Sequence, residues 1–352
     1  MTDDARPAFP LGDLRLRRER RAPLRPADLV RTAPYAADQP LPLVVTPAAG
    51  TVDLLEWGVA ERDRLRELRL AHGALLLRGF QVRSAEHFSD FVRQVFDSPL
   101  EYRERSSPRR QVGAHVYTST DYPASEEIFL HNENSYAAVW PMVVAFCCLQ
   151  PAESGGETPL ADVRRVYERI SAPLRERLRG RGCMYVRNFG RGLGLDWRTV
   201  FATEEREAVE AYCAAHDIGC EWLPGDRLRT RHVRPFVATH PATGEALWFN
   251  HAVFFHSTSL PRAVREAMAS VMAADELPNN TFYEDGTPFE AEVVDELRAA
   301  YQASTFQFPW QREDVLVLDN MYVAHSRRPF TGERRVLVGM AEPCDAAAAA
   351  AR

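Results

Sequence analysis

The segment Phe129-Leu130-His131-Asn132-Glu133 sets an imidazole and a carboxylate two positions apart. On an extended strand, residues two apart point to the same side. His131 and Glu133 can therefore reach one metal ion from a single rigid element. A helical zinc site would need His-Glu-x-x-His spacing, which occurs nowhere in the chain. A third ligand has to come from elsewhere. His325, in Asp319-Asn320-Met321-Tyr322-Val323-Ala324-His325, is the candidate.

Two histidines and one carboxylate on one face of an octahedron leave three positions open, the arrangement of non-haem iron(II) oxygenases. Those positions suit a bidentate 2-oxo acid together with O2. The far carboxylate of the oxo acid then needs a cation, and Arg335 follows His325 by ten residues, on the next predicted strand. Arginine forks onto a carboxylate in a way that lysine cannot. Each piece is weak alone. His-x-Glu recurs by chance, lone histidines such as His87, His216 and His232 are commonly surface or satisfied core residues, and Arg334-Arg335 also reads as an exposed doublet. The order of triplet, distal histidine and arginine carries the signal.

The elements that must hold these residues alternate between helices and short strands. Apolar residues at helical spacing predict a helix over 54–71, ended by Gly73, and another over 85–96 with Ser84 as N-cap. Further helices are expected over 162–178, 204–216 and 261–274. The apolar run Val143–Leu149 has strand length. Phe236–His240 and Ala246–Asn250 flank the turn Pro241-Ala-Thr-Gly-Glu245, a hairpin signal. Strands are also expected at 74–78, 315–318 and 335–340. Strands dominate the second half, which predicts a mainly β fold, a closed or double-sheet core with inserted helices. Residues 1–40, rich in Arg, Pro and Ala, read as an amino-terminal arm. Residues 41–343 read as one domain, and 344–352, ending in six alanines and Arg352, as a disordered tail.

Composition removes several functions. The chain has 352 residues, 45% of them hydrophobic and 26% charged, as in soluble globular proteins. The net charge of −6 speaks against a nucleic-acid partner. No apolar run approaches a membrane span, and no signal peptide opens the chain, so the cytoplasm is expected. All 43 basic residues are arginine. Without lysine, neither a Schiff-base enzyme nor a P-loop is possible. The six cysteines form no Cys-x-x-Cys pair, and Cys147 and Cys148 read as buried thiols.

His131-x-Glu133, Gly155-Gly-Glu-Thr158 and Asp319-Asn…His325…Arg-Pro-Phe-x-Gly-x-Arg-Arg335 together resemble the taurine dioxygenase family (TauD/TfdA), in its branch of clavaminate-synthase-like and syringomycin-type amino-acid hydroxylases. The resemblance runs from about His72 to Met340. It implies a double-stranded β-helix (a jelly roll, cupin-like), Fe(II), and 2-oxoglutarate as cosubstrate with O2. By that likeness Thr158 helps hold 2-oxoglutarate and Arg335 pairs with its distal carboxylate. Arg334 is the fallback, because a one-residue register error exchanges the two.

Two departures narrow the substrate. Taurine dioxygenases carry aspartate in the triplet, whereas Glu133 matches the amino-acid-oxidising branch. They also place a sulfonate-binding arginine four positions past the cosubstrate arginine, where this chain has Gly339. Related halogenases lose the carboxylate, and Glu133 is intact, so halogenation is disfavoured. The resemblance points to specialised metabolism such as antibiotic biosynthesis. The expected reaction is hydroxylation of an unactivated C–H bond in an amino-acid-derived small molecule, free or tethered to a peptidyl carrier protein.

Candidate substrate residues are Asn134, Arg187, Asn250 and His251, with His256 beyond them. The bland reading is that Asn250 caps a hairpin, that the histidines meet backbone carbonyls, and that Arg187 sits in a structural ion pair. Beyond hydroxylation, the same scaffold permits desaturation or cyclisation. A non-catalytic binding or regulatory member is a further alternative. A zinc hydrolase would work without O2 and would need a general base, which nothing near the triplet supplies.

Overall fold

The computed structural model describes residues 25–345, apart from 38, 101–103, 105, 107–108, 114, 121, 191 and 193. An eight-stranded mixed sheet forms its centre. In spatial order its strands are Val30–Ala36, Gln39–Pro47, Ala74–Leu77, Val315–Asp319, Val139–Gln150, Arg335–Asp345, Val116–Thr118 and Gln111–Gly113. A smaller sheet, ordered Thr305–Phe306, Leu160–Asp162, Val323–Arg327 and Ile128–His131, carries both histidines of the site.

The continuous apolar run at 143–149 follows from burial on both faces. Val144, Phe146 and Cys148 join Leu316, Leu318, Val336, Val338 and Met340 in the main core. The alternate residues Val143, Ala145 and Cys147 join Val315, Val317 and Leu337 in a second cluster. That second cluster is covered by helices Leu54–Ala60 and Ala85–Val95, through Leu54, Trp57, Phe88 and Phe91. With both faces apolar, the sequence shows no period of two. A third cluster, around Trp197 and Phe201, sits at one end of a four-stranded sheet that includes Gly182–Phe189 and Arg227–Pro235.

Several expected elements hold and others split. Ser84 accepts the amide proton of His87, as an N-cap should, and Gly73, at φ +73°, ends its helix. The helix expected over 54–71 is two, Leu54–Ala60 and Arg62–His72, because Glu61 leaves helical geometry. That over 162–178 breaks at Ile170 and Ser171, because Pro173 has no amide proton for the Arg169 carbonyl and its ring would clash with it in a continuous helix, while near the start of a new helix it is tolerated. That over 261–274 stops at Ala269.

Residues Val30–Ala36, expected within the arm, form a strand paired with Gln39–Pro47. The strand from Arg335 runs through Cys344 and Asp345, two residues into the expected tail. Residues 1–24 and 346–352 lie outside the described residues. Among the described residues no helix is long and apolar enough to cross a membrane.

Candidate metal centre and its two compartments

His131 closes the strand Ile128–His131, and His325 is its register partner on Val323–Arg327. Their ring centroids lie 4.5 Å apart. Glu133 stands beyond the strand, in a turn, so the expected single-strand presentation of the His-x-Glu pair does not hold. Asn320 places it instead. The Asn320 side chain accepts the Glu133 amide proton at 2.8 Å and donates to the carbonyls of Glu133 and Pro141, each at 2.8 Å. Asn132 donates to the Asn320 carbonyl at 2.6 Å. All of these groups are buried, so each bond matters more than it would in water.

One potential ligand atom from each of His131, Glu133 and His325 lies within 4.8 Å of the others, and all three residues are buried. The donor set fits a divalent ion. His131 Nδ1 lies 2.9 Å from the Phe129 carbonyl, which can only accept, so Nδ1 carries the proton and Nε2 is left with its lone pair. His325 Nδ1 is buried without a hydrogen-bond partner. Burial holds both imidazoles below their ordinary pKa, so they are neutral ligands at neutral pH. Burial pushes the Glu133 carboxyl upward, but the charges around it, the Arg109 guanidinium foremost, outweigh burial and hold the group at about 2. Arg109 Nη2 donates to Glu133 Oε2 at 2.8 Å.

Two compartments meet at His131. The first is lined by Thr158, His325, Arg327, Arg334 and Val336, with Arg109 at its wall. Trp310 donates to Thr158 Oγ1 at 3.1 Å, which fixes the hydroxyl. Arg334 is anchored by Nε on the Gly156 carbonyl at 2.9 Å. Burial and the nearby Arg327 bring its pKa down to about 10, which leaves it cationic at neutral pH. Arg327 is itself held by the carbonyls of Tyr122, Pro123 and Glu126.

The second compartment, a cavity of about 210 Å³, shares Arg109, Thr120, Ile128 and His131 with the first. Its apolar wall includes Phe129, Phe254, Leu260 and Met268, and its polar lining includes His256, Ser259 and Asn279. The Phe254 ring stacks on His131 at 4.4 Å.

The expected cosubstrate arginine, Arg335, and its fallback, Arg334, differ in where they face. Arg335 is exposed on the outer face, and Arg334 shares the inner face with Val336 and Val338. The strand alternates, with an irregularity between Arg335 and Val336, so a shift of one residue reverses the facing. Counting four positions on from Arg334 gives Val338, which lines the first compartment, whereas Gly339 packs toward Val92.

None of the four expected substrate residues lines either compartment. Asn250 Nδ2 donates to the Phe236 carbonyl, and its Oδ1 accepts from Ala252 N, a local cap. His251 Nδ1 lies 2.6 Å from Ser135 Oγ, and its backbone amide donates to the Tyr185 hydroxyl. Arg187 donates to Asn279 Oδ1 and to the Glu104 carbonyl and lies over the Tyr136 ring. Asn134 is buried at φ +55°, directly after Glu133. His256, the further candidate, does line the second compartment. The sequence alone does not mark Arg109 or Asn320 as site residues. Arg109 lies in a polar stretch without periodicity. Asn320 belongs to the Asp319-Asn pair that the family resemblance uses, and that was its one signal.

The family model for the taurine catabolism dioxygenase TauD, TfdA family matches residues 37–341. The dapdiamide synthesis protein DdaC of Enterobacter agglomerans is 41% identical over 277 residues, 79% of this chain and 84% of its own. A clavaminate synthase-like protein of Arabidopsis thaliana is 28% identical over 86% of this chain and 94% of its own. PvcB of Pseudomonas aeruginosa shares the fold at a TM-score of 0.56 and 16% identity, over 89% of this chain and 91% of its own. A taurine dioxygenase of Burkholderia xenovorans does so at 0.53 and 17%, over 89% of each chain. With most of its length matched, and with a His-Glu-His cluster that fits iron, the chain belongs to the TauD, TfdA family of iron(II)- and 2-oxoglutarate-dependent dioxygenases.

Proposed function

We propose that this enzyme hydroxylates an unactivated C–H bond of an amino-acid-derived small molecule in a natural-product pathway. His131, Glu133 and His325 hold the iron. Arg334 takes the distal carboxylate of 2-oxoglutarate, and Thr158 supports it. The two sheets are the halves of a double-stranded β-helix that encloses this site. When bound, iron and 2-oxoglutarate supply oxidising power from O2, and the protein supplies binding, orientation and exclusion of water.

One observation carries the reading: two compartments of different character meet at one ligand, His131. The arginine-lined compartment suits a dicarboxylate. The other, about 210 Å³ with an aromatic wall and a few polar groups, suits a substrate of amino-acid size. Phe254, stacked on His131, and Ile128 bring apolar surface up to the metal position, which keeps water from the reacting carbon. No residue is needed as a general base. The 41% identity to a protein named for dapdiamide synthesis supports a place in a biosynthetic pathway.

Mass spectrometry tests the proposal, with Fe(II), 2-oxoglutarate and candidate substrates offered as free amino-acid derivatives and as thioesters on a peptidyl carrier protein. A product one oxygen atom heavier, with matching succinate, is expected, and the form that reacts identifies the delivery route. Succinate matched by a product that has lost two hydrogens would replace hydroxylation by desaturation or cyclisation. Iron binding without O2 consumption would favour a non-catalytic member.

A further inference from the structure

Glu133 stands past the end of its strand, where no cross-strand pairing fixes its direction. Asn320 grips its backbone at both the amide and the carbonyl. The carboxylate lies three side-chain torsions away from that grip. At its far end, Arg109 Nη2 donates to Oε2 at 2.8 Å, and the arginine and glutamate side chains are only 4% and 3% exposed. The same oxygen lies 3.8 Å from His325 Nε2. Arg109 also lines both compartments, so one residue borders each of them and bonds the ligand carboxylate.

We infer that Arg109 is a positioning residue of the metal centre, fixing the Glu133 carboxylate where His131 and His325 converge. This rests on reading those three residues as the ligands. A glutamate has one more torsion than an aspartate and must be restrained by something beyond its backbone. A charge-assisted bond from a planar guanidinium restrains direction as well as distance. Asn320 and Arg109 thus hold the two ends of the same residue.

Two effects oppose each other. A guanidinium beside a dication repels it, which weakens binding. A carboxylate without its orienting partner swings among rotamers and has to be ordered by the ion, which also weakens binding. Partners that orient metal ligands contribute about ten- to a hundredfold in metal affinity or activity. The buried, short Arg109–Glu133 contact belongs with such partners, so the orienting effect is the larger.

The test is Mn(II) affinity by calorimetry or electron paramagnetic resonance, on wild type, Arg109→Gln, Arg109→Lys and His325→Ala, with thermal melting of each metal-free protein alongside. The visible spectrum of the Co(II)-loaded proteins reports ligand geometry. Arg109→Gln should bind Mn(II) at least about tenfold more weakly, with an altered Co(II) spectrum. Arg109→Lys, which keeps the charge but not the fork, should fall between it and wild type. Mn(II) affinity in Arg109→Gln that equals or exceeds that of wild type would overturn the inference. If Arg109→Gln does not fold, wild-type affinity and spectrum in Arg109→Lys overturn it instead. If His325→Ala binds Mn(II) like wild type, the ligand assignment fails, and that result is distinct from a failure of Arg109 alone.

Discussion

His131 and His325 are register partners across two antiparallel strands, Ile128–His131 and Val323–Arg327. A metal bound between them therefore ties together two segments almost two hundred residues apart in sequence. Mn(II) at about 100 times its Kd stabilises the folded state by about 2.7 kcal/mol if it does not bind the unfolded chain. Wild-type protein should show that increment as a rise in melting temperature. His131→Ala and His325→Ala should each lose it, together with iron-dependent turnover. A full increment in His325→Ala would show that the distal ligand lies elsewhere.

The two adjacent arginines differ in facing, and kinetics separates them. Arg334 lines the first compartment and Arg335 is exposed. Hydrogen bonds to charged groups contribute about 1.5–3 kcal/mol each, so Arg334→Gln should raise KM for 2-oxoglutarate by roughly ten- to a hundredfold. Arg335→Gln should leave it unchanged. The reverse result would show that the strand carries its residues in the other register.

Asn320 is fully buried and serves three backbone groups of Glu133 and Pro141. Asn320→Ala strands those groups without partners. Each unsatisfied buried group costs about 1–3 kcal/mol, and relaxation recovers part of this. A loss of about 2–4 kcal/mol should appear in the denaturant midpoint, accompanied by weaker Mn(II) binding. Lost stability with unchanged Mn(II) binding would mean that Asn320 supports the fold but not Glu133.

The thiols report on the cores. Burial pushes Cys147 and Cys183 up strongly, and Cys148 up to about 12. A raised thiol pKa keeps the group protonated until the pH climbs past it, and the thiolate is the reactive form. In native protein at mildly alkaline pH these three should resist a disulfide reagent, while Cys220, only half-buried, reacts first. All six should react in denaturant. Rapid native labelling of Cys148 would mean that the main core opens to solvent around it.

Much of the site was legible because its chemistry is carried by residue type and order. His131, Glu133 and His325 converge, although Glu133 does so from a turn rather than from the strand that its spacing suggested. Thr158 lines the arginine compartment. The choice between Arg334 and Arg335 turned on one residue of register, which a doublet at the start of a strand does not reveal. Both faces of Val143–Leu149 are buried, so the pattern showed a strand but not its neighbours. Asn250 and His251 looked functional because they are polar within an apolar stretch, yet their partners are backbone and side-chain groups that the fold brings from far away. Arg109 reaches Glu133 from a segment with no periodicity, so only the three-dimensional arrangement reveals it.

The helix Arg262–Ala269 buries none of its residues, yet Leu260 before it and Met268 within it line the second compartment. The opposite side of the site is built on Val139–Gln150 and Arg335–Asp345, paired along nearly their whole length and buried on both faces. The molecule therefore has a steep internal gradient of opening free energy across a single site. Amide hydrogens of residues 262–269 should exchange with solvent orders of magnitude faster than those of residues 143–148. Ligand exchange can then proceed through local opening that never reaches the strands behind the metal.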